Sequence, residues 1–93
     1  MLIAARITDS IGAVFPIVVE WPALTDDTWE SCTITATGVG TIITDDWRAP
    51  RTEDEQTGFW IESTGAAGLA HVILTPVSAN GITEPVEITV NFQ

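Results

Sequence analysis

Three groups of residues in this chain could carry chemistry: one histidine, several acidic pairs and four tryptophans. His71 lies in an alternating apolar run and could act as a general base. A base needs a nucleophile or a partner acid within reach. No Ser or Cys carries a nucleophile motif, and neither Gly-x-Ser-x-Gly nor His-Glu-x-x-His occurs. His71 is therefore read as a surface or half-buried strand residue. Two carboxylates can cleave a glycosidic bond, but 93 residues without evident cleft residues offer no setting for it. The chain is read as non-enzymatic and without a cofactor.

Asp26-Asp27, Asp45-Asp46 and Glu53-Asp54-Glu55 supply hard oxygen ligands of the kind Ca²⁺ prefers. No EF-hand spacing or repeated Asp motif accompanies them, and acidic clusters in loops are usually solvated. A calcium site on Asp26, Asp27, Asp45 and Asp46 is the minor alternative. Thirteen acids face three arginines, Arg6, Arg48 and Arg51, with no lysine, giving a formal charge of -10. Such a surface repels phosphate backbones and anionic headgroups, which excludes the nucleic-acid and peripheral-membrane classes. The charge supports solubility, or complements a basic partner or a high-salt habitat.

Four tryptophans are many for this length. Trp21 ends an apolar strand and reads as core. Trp60 falls between Phe59 and Ile61, so alternation places it on the opposite face. Trp29 and Trp47 fall in or beside loops, where aromatic rings either stack on sugars, anchor a protein interface, or fold back over the core. With the two nearby cations they make a candidate contact set: Trp29, Trp47, Arg48 and Arg51. The single cysteine, Cys32, excludes an intrachain disulfide and a thiolate zinc cluster. It reads as a small buried hydrophobe.

The elements that must position these residues are strands. Apolar residues recur with period two. Val86, Ile88, Val90 and Phe92 alternate with polar neighbours, as do Cys32, Ile34 and Ala36. Ile3 to Ile7, Val14 to Trp21, Thr41 to Thr44, Gly58 to Glu62 and Leu69 to Thr75 bring the expected number to seven. Pro16 marks an edge or a bulge. Gly38-Val39-Gly40 reads as a tight hairpin, residues 65–68 as a short link, and Asn80-Gly81 as a reversal. The connections 22–30 and 45–57 are longer. Seven short strands at regular spacing predict one all-β sandwich domain over residues 1–93. Ser10 to Val19, an uncharged and mostly apolar stretch, is too short to span a membrane, and the N-terminus lacks the pattern of a signal peptide. The chain is expected to be a small gene product or an excised module.

Two stretches resemble the fibronectin type III branch of immunoglobulin-like sandwiches. Val18-Val19-Glu20-Trp21-Pro22 is similar to the family's second strand and following loop. Val72, Leu74, Val77, Ser78, Gly81, Thr83 and Pro85 follow the spacing of its sixth strand and next loop. Ala70 stands at the position of the family's usual Tyr, and Thr64 at that of its Leu. The resemblance implies a seven-stranded antiparallel sandwich with a binding or spacing role and no catalytic residues. It also implies that the connections 22–30, 45–57 and 76–84 share one pole. That pole would gather Asp26, Asp27, Glu30, Asp45, Asp46, Glu53, Asp54, Glu55 and Glu84 with Trp29, Trp47, Arg48 and Arg51.

The expected function is a non-catalytic structural or interaction module. Family analogy points to a virion component: a phage decoration, head or tail accessory protein docked on a capsid or other large assembly. The alternative is a carbohydrate-binding or adhesion module of a larger secreted protein. The corresponding locations are the virion or an extracellular surface, and the partners a protein or a glycan.

Overall fold

The computed structural model describes the backbone of residues 2–45 and 47–93, and side chains from Ala5 onward. Eight strands follow in order: β1 Leu2–Asp9, β2 Val14–Glu20, β3 Trp29–Gly38, β4 Gly40–Ile42, β5 Arg51–Glu53, β6 Gln56–Ser63, β7 Gly68–Ser78 and β8 Val86–Phe92. They form two four-stranded sheets packed as a sandwich. One has the order β1-β8-β7-β3, and in the other β6 lies between β2 and β4, with β5 also on β6.

The period-two pattern does what it predicts. Along β7 and β8 buried residues alternate with partly exposed ones. Val72, Leu74, Ile88, Val90 and Phe92 meet Ile17, Phe59 and Ile61 of the other sheet in one core. The Phe15 and Phe92 rings sit 6.3 Å apart across the gap. Each fully buried large side chain here removes enough apolar surface to contribute roughly 1.5–3 kcal/mol.

The arrangement departs from the seven-stranded, wholly antiparallel expectation in two ways. First, β1 pairs with β8 in parallel, Leu2 beside Val86 and Asp9 beside Phe92, so that sheet is mixed. Alternation is identical in parallel and antiparallel strands, so the pattern alone cannot separate them. Second, β5 is an extra strand. Its residues pair with the first half of β6, Arg51 opposite Gly58 and Glu53 opposite Gln56, while β4 pairs with the second half. Arg51-Thr52-Glu53 contains no apolar residue, so nothing in its composition marks a strand.

Gly38-Val39-Gly40 is not a hairpin. It carries the chain from β3 in one sheet to β4 in the other. Gly38 adopts φ +83° against the Leu69 carbonyl, where a Cβ would collide. A Cβ on Gly40 would lie 2.8 Å from that of Ala70. This close crossing explains why a small residue occupies position 70: a large ring has no space beneath β4. Pro16 marks an edge and no bulge, because β2 runs in unbroken register with β6. Ala13 and Trp21 hydrogen-bond toward β6 and its turn, so by alternation Pro16 turns its missing N–H outward.

The shared acidic pole forms only in part. The turns 22–28 and 54–55 and the 79–85 connection lie at one end of the sandwich, with Asp26, Asp27, Glu30, Glu53, Asp54, Glu55 and Glu84. The segment 43–50 does not. Because β4 and β5 lie along the same side of β6, it loops out at mid-height, taking Asp45, Trp47 and Arg48 to the flank. Asp46, also expected at the pole, is outside the described residues. At the pole, Asp27 Oδ1 accepts from the Thr28 and Asn80 amides at 2.8 and 3.2 Å, tying two loops together.

Two outcomes follow. Asp54 and Glu55, the two residues of the β5–β6 turn, have φ of 51° and 64°, the left-handed geometry that favours Asn-Gly. Glu55→Gly is expected to raise stability by roughly 1 kcal/mol, read as a higher urea midpoint; a lower midpoint would refute the strain. The Ser78 hydroxyl, outweighing the cost of burial, holds the Asp27 carboxyl below its ordinary range, with help from the loop amides. Its folded value being lowered, its contribution is complete above the unfolded aspartate value of about 3.9 and fades as pH falls toward the folded one. Asp27→Asn should flatten the acid limb of the stability curve, and an unchanged limb would contradict this assignment.

Candidate functional site

Of the four candidate contact residues, the structure brings three to one surface. Trp29 is the exception. It opens β3, is only 6% exposed and belongs to the core. Its Nε1–H donates to the Pro22 carbonyl at 2.9 Å, and its ring lies 6.0 Å from that of Trp21. The Trp21 Nε1–H donates in turn to Thr57 Oγ1 at 2.8 Å. The Thr57 hydroxyl is fully buried and lies 2.9 Å from Thr52 Oγ1. The two indoles thus close the acidic end of the core from within.

Trp47, Arg48 and Arg51 gather on the outer face of the β2–β6 sheet. Strand register orders that face in four rows. Val14, Glu62 and Thr41 form the first. Pro16 and Trp60 form the second, Val18, Gly58 and Arg51 the third, and Glu20, Gln56 and Glu53 the fourth. The middle rows are thus mainly apolar, with a glutamate or two in each outer row. Trp47, held by the 43–50 segment, meets Trp60 edge-on at 5.3 Å between centroids. It remains 69% exposed. Trp60 was legible from alternation as an outward ring; its partner was not.

Arg48 fastens this pair. Its guanidinium carbon lies 5.4 Å from the Trp47 ring and 5.9 Å from the Trp60 ring, within cation–π range. Its Nε donates to Asp45 Oδ1 at 3.1 Å and its Nη2 to Asp45 Oδ2. That double hydrogen bond holds the Asp45 carboxyl below the usual aspartate range. Asp45 is thus engaged as an anion clamping Arg48.

A groove of about 190 Å³ opens beside the ring pair, bordered by Pro16, Val18, Gly58, Trp60, Trp47 and Arg51. Val18 leaves 62% of its surface exposed there. Gly58 is informative because the fold does not require it. Its φ is not in the left-handed region, and a Cβ would touch only Val18 Cγ2, at 3.9 Å. Glycine inside a strand costs roughly 0.5–1 kcal/mol and often marks close approach by another molecule. Sequence reading missed Pro16, Val18 and Gly58 as lining residues, although Val18 and Gly58 share an outward row.

The other candidate chemistry is scattered. His71 lies half-exposed on the outer face of the opposite sheet, its Nδ1 3.6 Å from Glu87 Oε2. Among the described residues no three His, Cys, Asp or Glu side chains gather as a metal site. Asp26 and Asp27 are at the pole while Asp45 is on the flank; Asp46 lies outside the described residues. Cys32 is only half-buried, against the expectation of a buried residue, and burial pushes its thiol up.

No family model matches this chain, and no curated protein is found to be similar to it. The two loop tryptophans should separate cleanly in thermal or urea unfolding. Trp29→Ala is expected to cost about 3–5 kcal/mol. Trp47→Ala, at an exposed ring, should cost less than about 1 kcal/mol. Equal losses would contradict the assignment of one ring to the core and the other to a surface.

Proposed function

We propose that the chain is a non-catalytic interaction module that docks a protein partner on the outer face of its β2–β6 sheet. One observation carries this reading: a solvent-exposed tryptophan, braced by a second ring and a clamped arginine, beside a glycine-floored apolar groove. Exposed rigid aromatics next to an arginine are the usual anchors of protein interfaces. Groups that would recognise a sugar's hydroxyls are few beside Trp47. Arg48 is already committed to Asp45, and the remaining groove wall is aliphatic or aromatic apart from Arg51. That balance favours an apolar protein side chain over a glycan.

Within this class we assign the domain to the immunoglobulin-like, fibronectin type III-like sandwiches, and its role to a virion decoration or head or tail accessory protein. The first rests on the Val18–Pro22 and Val72–Pro85 patterns and the two-sheet sandwich; the second on analogy with that family. A flat domain of 44 × 29 × 15 Å that docks through one sheet face suits attachment to a larger shell. The carbohydrate-binding or adhesion role is the second reading, and the exposed Trp47 ring is what favours it.

Co-sedimentation with the particulate fraction of the source material tests the proposal. The unaltered chain is expected in the pellet, and a Trp47→Ala, Gly58→Val variant of unchanged melting temperature in the supernatant. Equal partitioning of the two would sink the proposal. Trp47-dependent calorimetric binding of soluble glycans would move the assignment to the second reading.

A further inference from the structure

The charge around the groove specifies the partner more closely. Glu62 stands in the row before the groove, and Glu20 and Glu53 in the row after it. All three are exposed. The rows of Val14 and Glu20 are six residues apart along β2, a span of about 20 Å in a strand. The groove lies midway, so an extended segment covers the distance to either acidic row in about three residues. Between these rows the groove wall is apolar apart from Arg51, while Arg48, clamped by Asp45, stands over Trp47 and Trp60 on the side of Glu62. No ion pair to Arg51 forms among the described residues, which leaves its guanidinium to donate to backbone carbonyls. A second copy is a poor occupant, because each chain carries a formal charge of -10 and face-to-face pairing would oppose like charges.

We propose that the groove receives one uncharged apolar side chain from an extended basic segment of another protein, with a cationic residue about three positions to either side. The central residue fills the space above Gly58 against Trp47 and Trp60. The flanking cations meet Glu62 at one end and Glu20 and Glu53 at the other. This inference rests on the reading of the face as a protein-docking surface.

Panning a random twelve-residue peptide library against the folded chain tests it, with the Trp47→Ala, Gly58→Val variant as the counter-selecting bait. The expected consensus is one aliphatic or aromatic residue flanked by Arg or Lys at a spacing of about three. A synthetic consensus peptide should bind about tenfold more weakly when Glu20, Glu53 and Glu62 are all changed to Gln, and more weakly as salt rises. Groove-dependent peptides with neutral or acidic flanks would overturn the basic-segment inference and leave the docking reading standing. No groove-dependent enrichment at all would overturn both. Concentration-dependent dimerisation abolished by Gly58→Val would replace the basic segment with a second copy.

Discussion

A buried hydrogen bond from the Trp21 indole to the Thr57 hydroxyl holds together the end of the sandwich where most of the charge collects. An indole N–H taken out of water without an acceptor forfeits roughly 1–3 kcal/mol. Thr57 supplies the acceptor, and Thr52 of β5 lies against the same hydroxyl. One polar chain therefore joins β2, β6 and the short β5, which buries no large apolar side chain. Trp29 packs on Trp21 and is fixed through Pro22. With both rings seated, the acidic turns can stay solvated while the core beneath them stays dry.

The same register that seats these inward residues sets out the opposite face. Thr57, Phe59 and Ile61 point inward, so Gly58 and Trp60 must point out. The flank loop adds Trp47 because β4 and β5 share one side of β6 and the chain between them leaves the sheet after the Ile43 amide bonds to the Trp60 carbonyl. The proposed docking surface thus combines two kinds of support. Its floor belongs to the rigid central strand, and its exposed ring is held from a loop by a clamped guanidinium. This division matches the general placement of binding residues on connections carried by a rigid scaffold.

Most of the fold was legible in the alternation of apolar residues, and what was not has definite physical causes. Trp29 looked like a loop residue because it is out of phase with Cys32, Ile34 and Ala36. A register shift between Trp29 and Ser31 lets it turn inward nonetheless. β5 escaped notice because its stability comes from a threonine pair and ladder bonds, and because its two-residue turn lacks the glycine that announces such turns. The candidate site was half visible: Trp47, Arg48 and Arg51 stood out by type, and Trp60 by phase. What joined them was the looping-out of 43–50, which depends on how two short strands divide the length of a third.

The parallel contact between β1 and β8 has a mechanical meaning. Seven Cα positions are paired along it, from Leu2 beside Val86 to Asp9 beside Phe92. Leu2 and Phe92 lie at opposite ends of this pair of neighbouring strands. Tension applied between them pulls the two strands past each other lengthwise and loads their hydrogen bonds together. An antiparallel pair pulled from adjacent ends would instead unzip one bond at a time. Forced unfolding is governed by the unfolding barrier, not by the equilibrium stability. A small domain with this strand geometry can therefore resist stretching far better than its modest core would suggest.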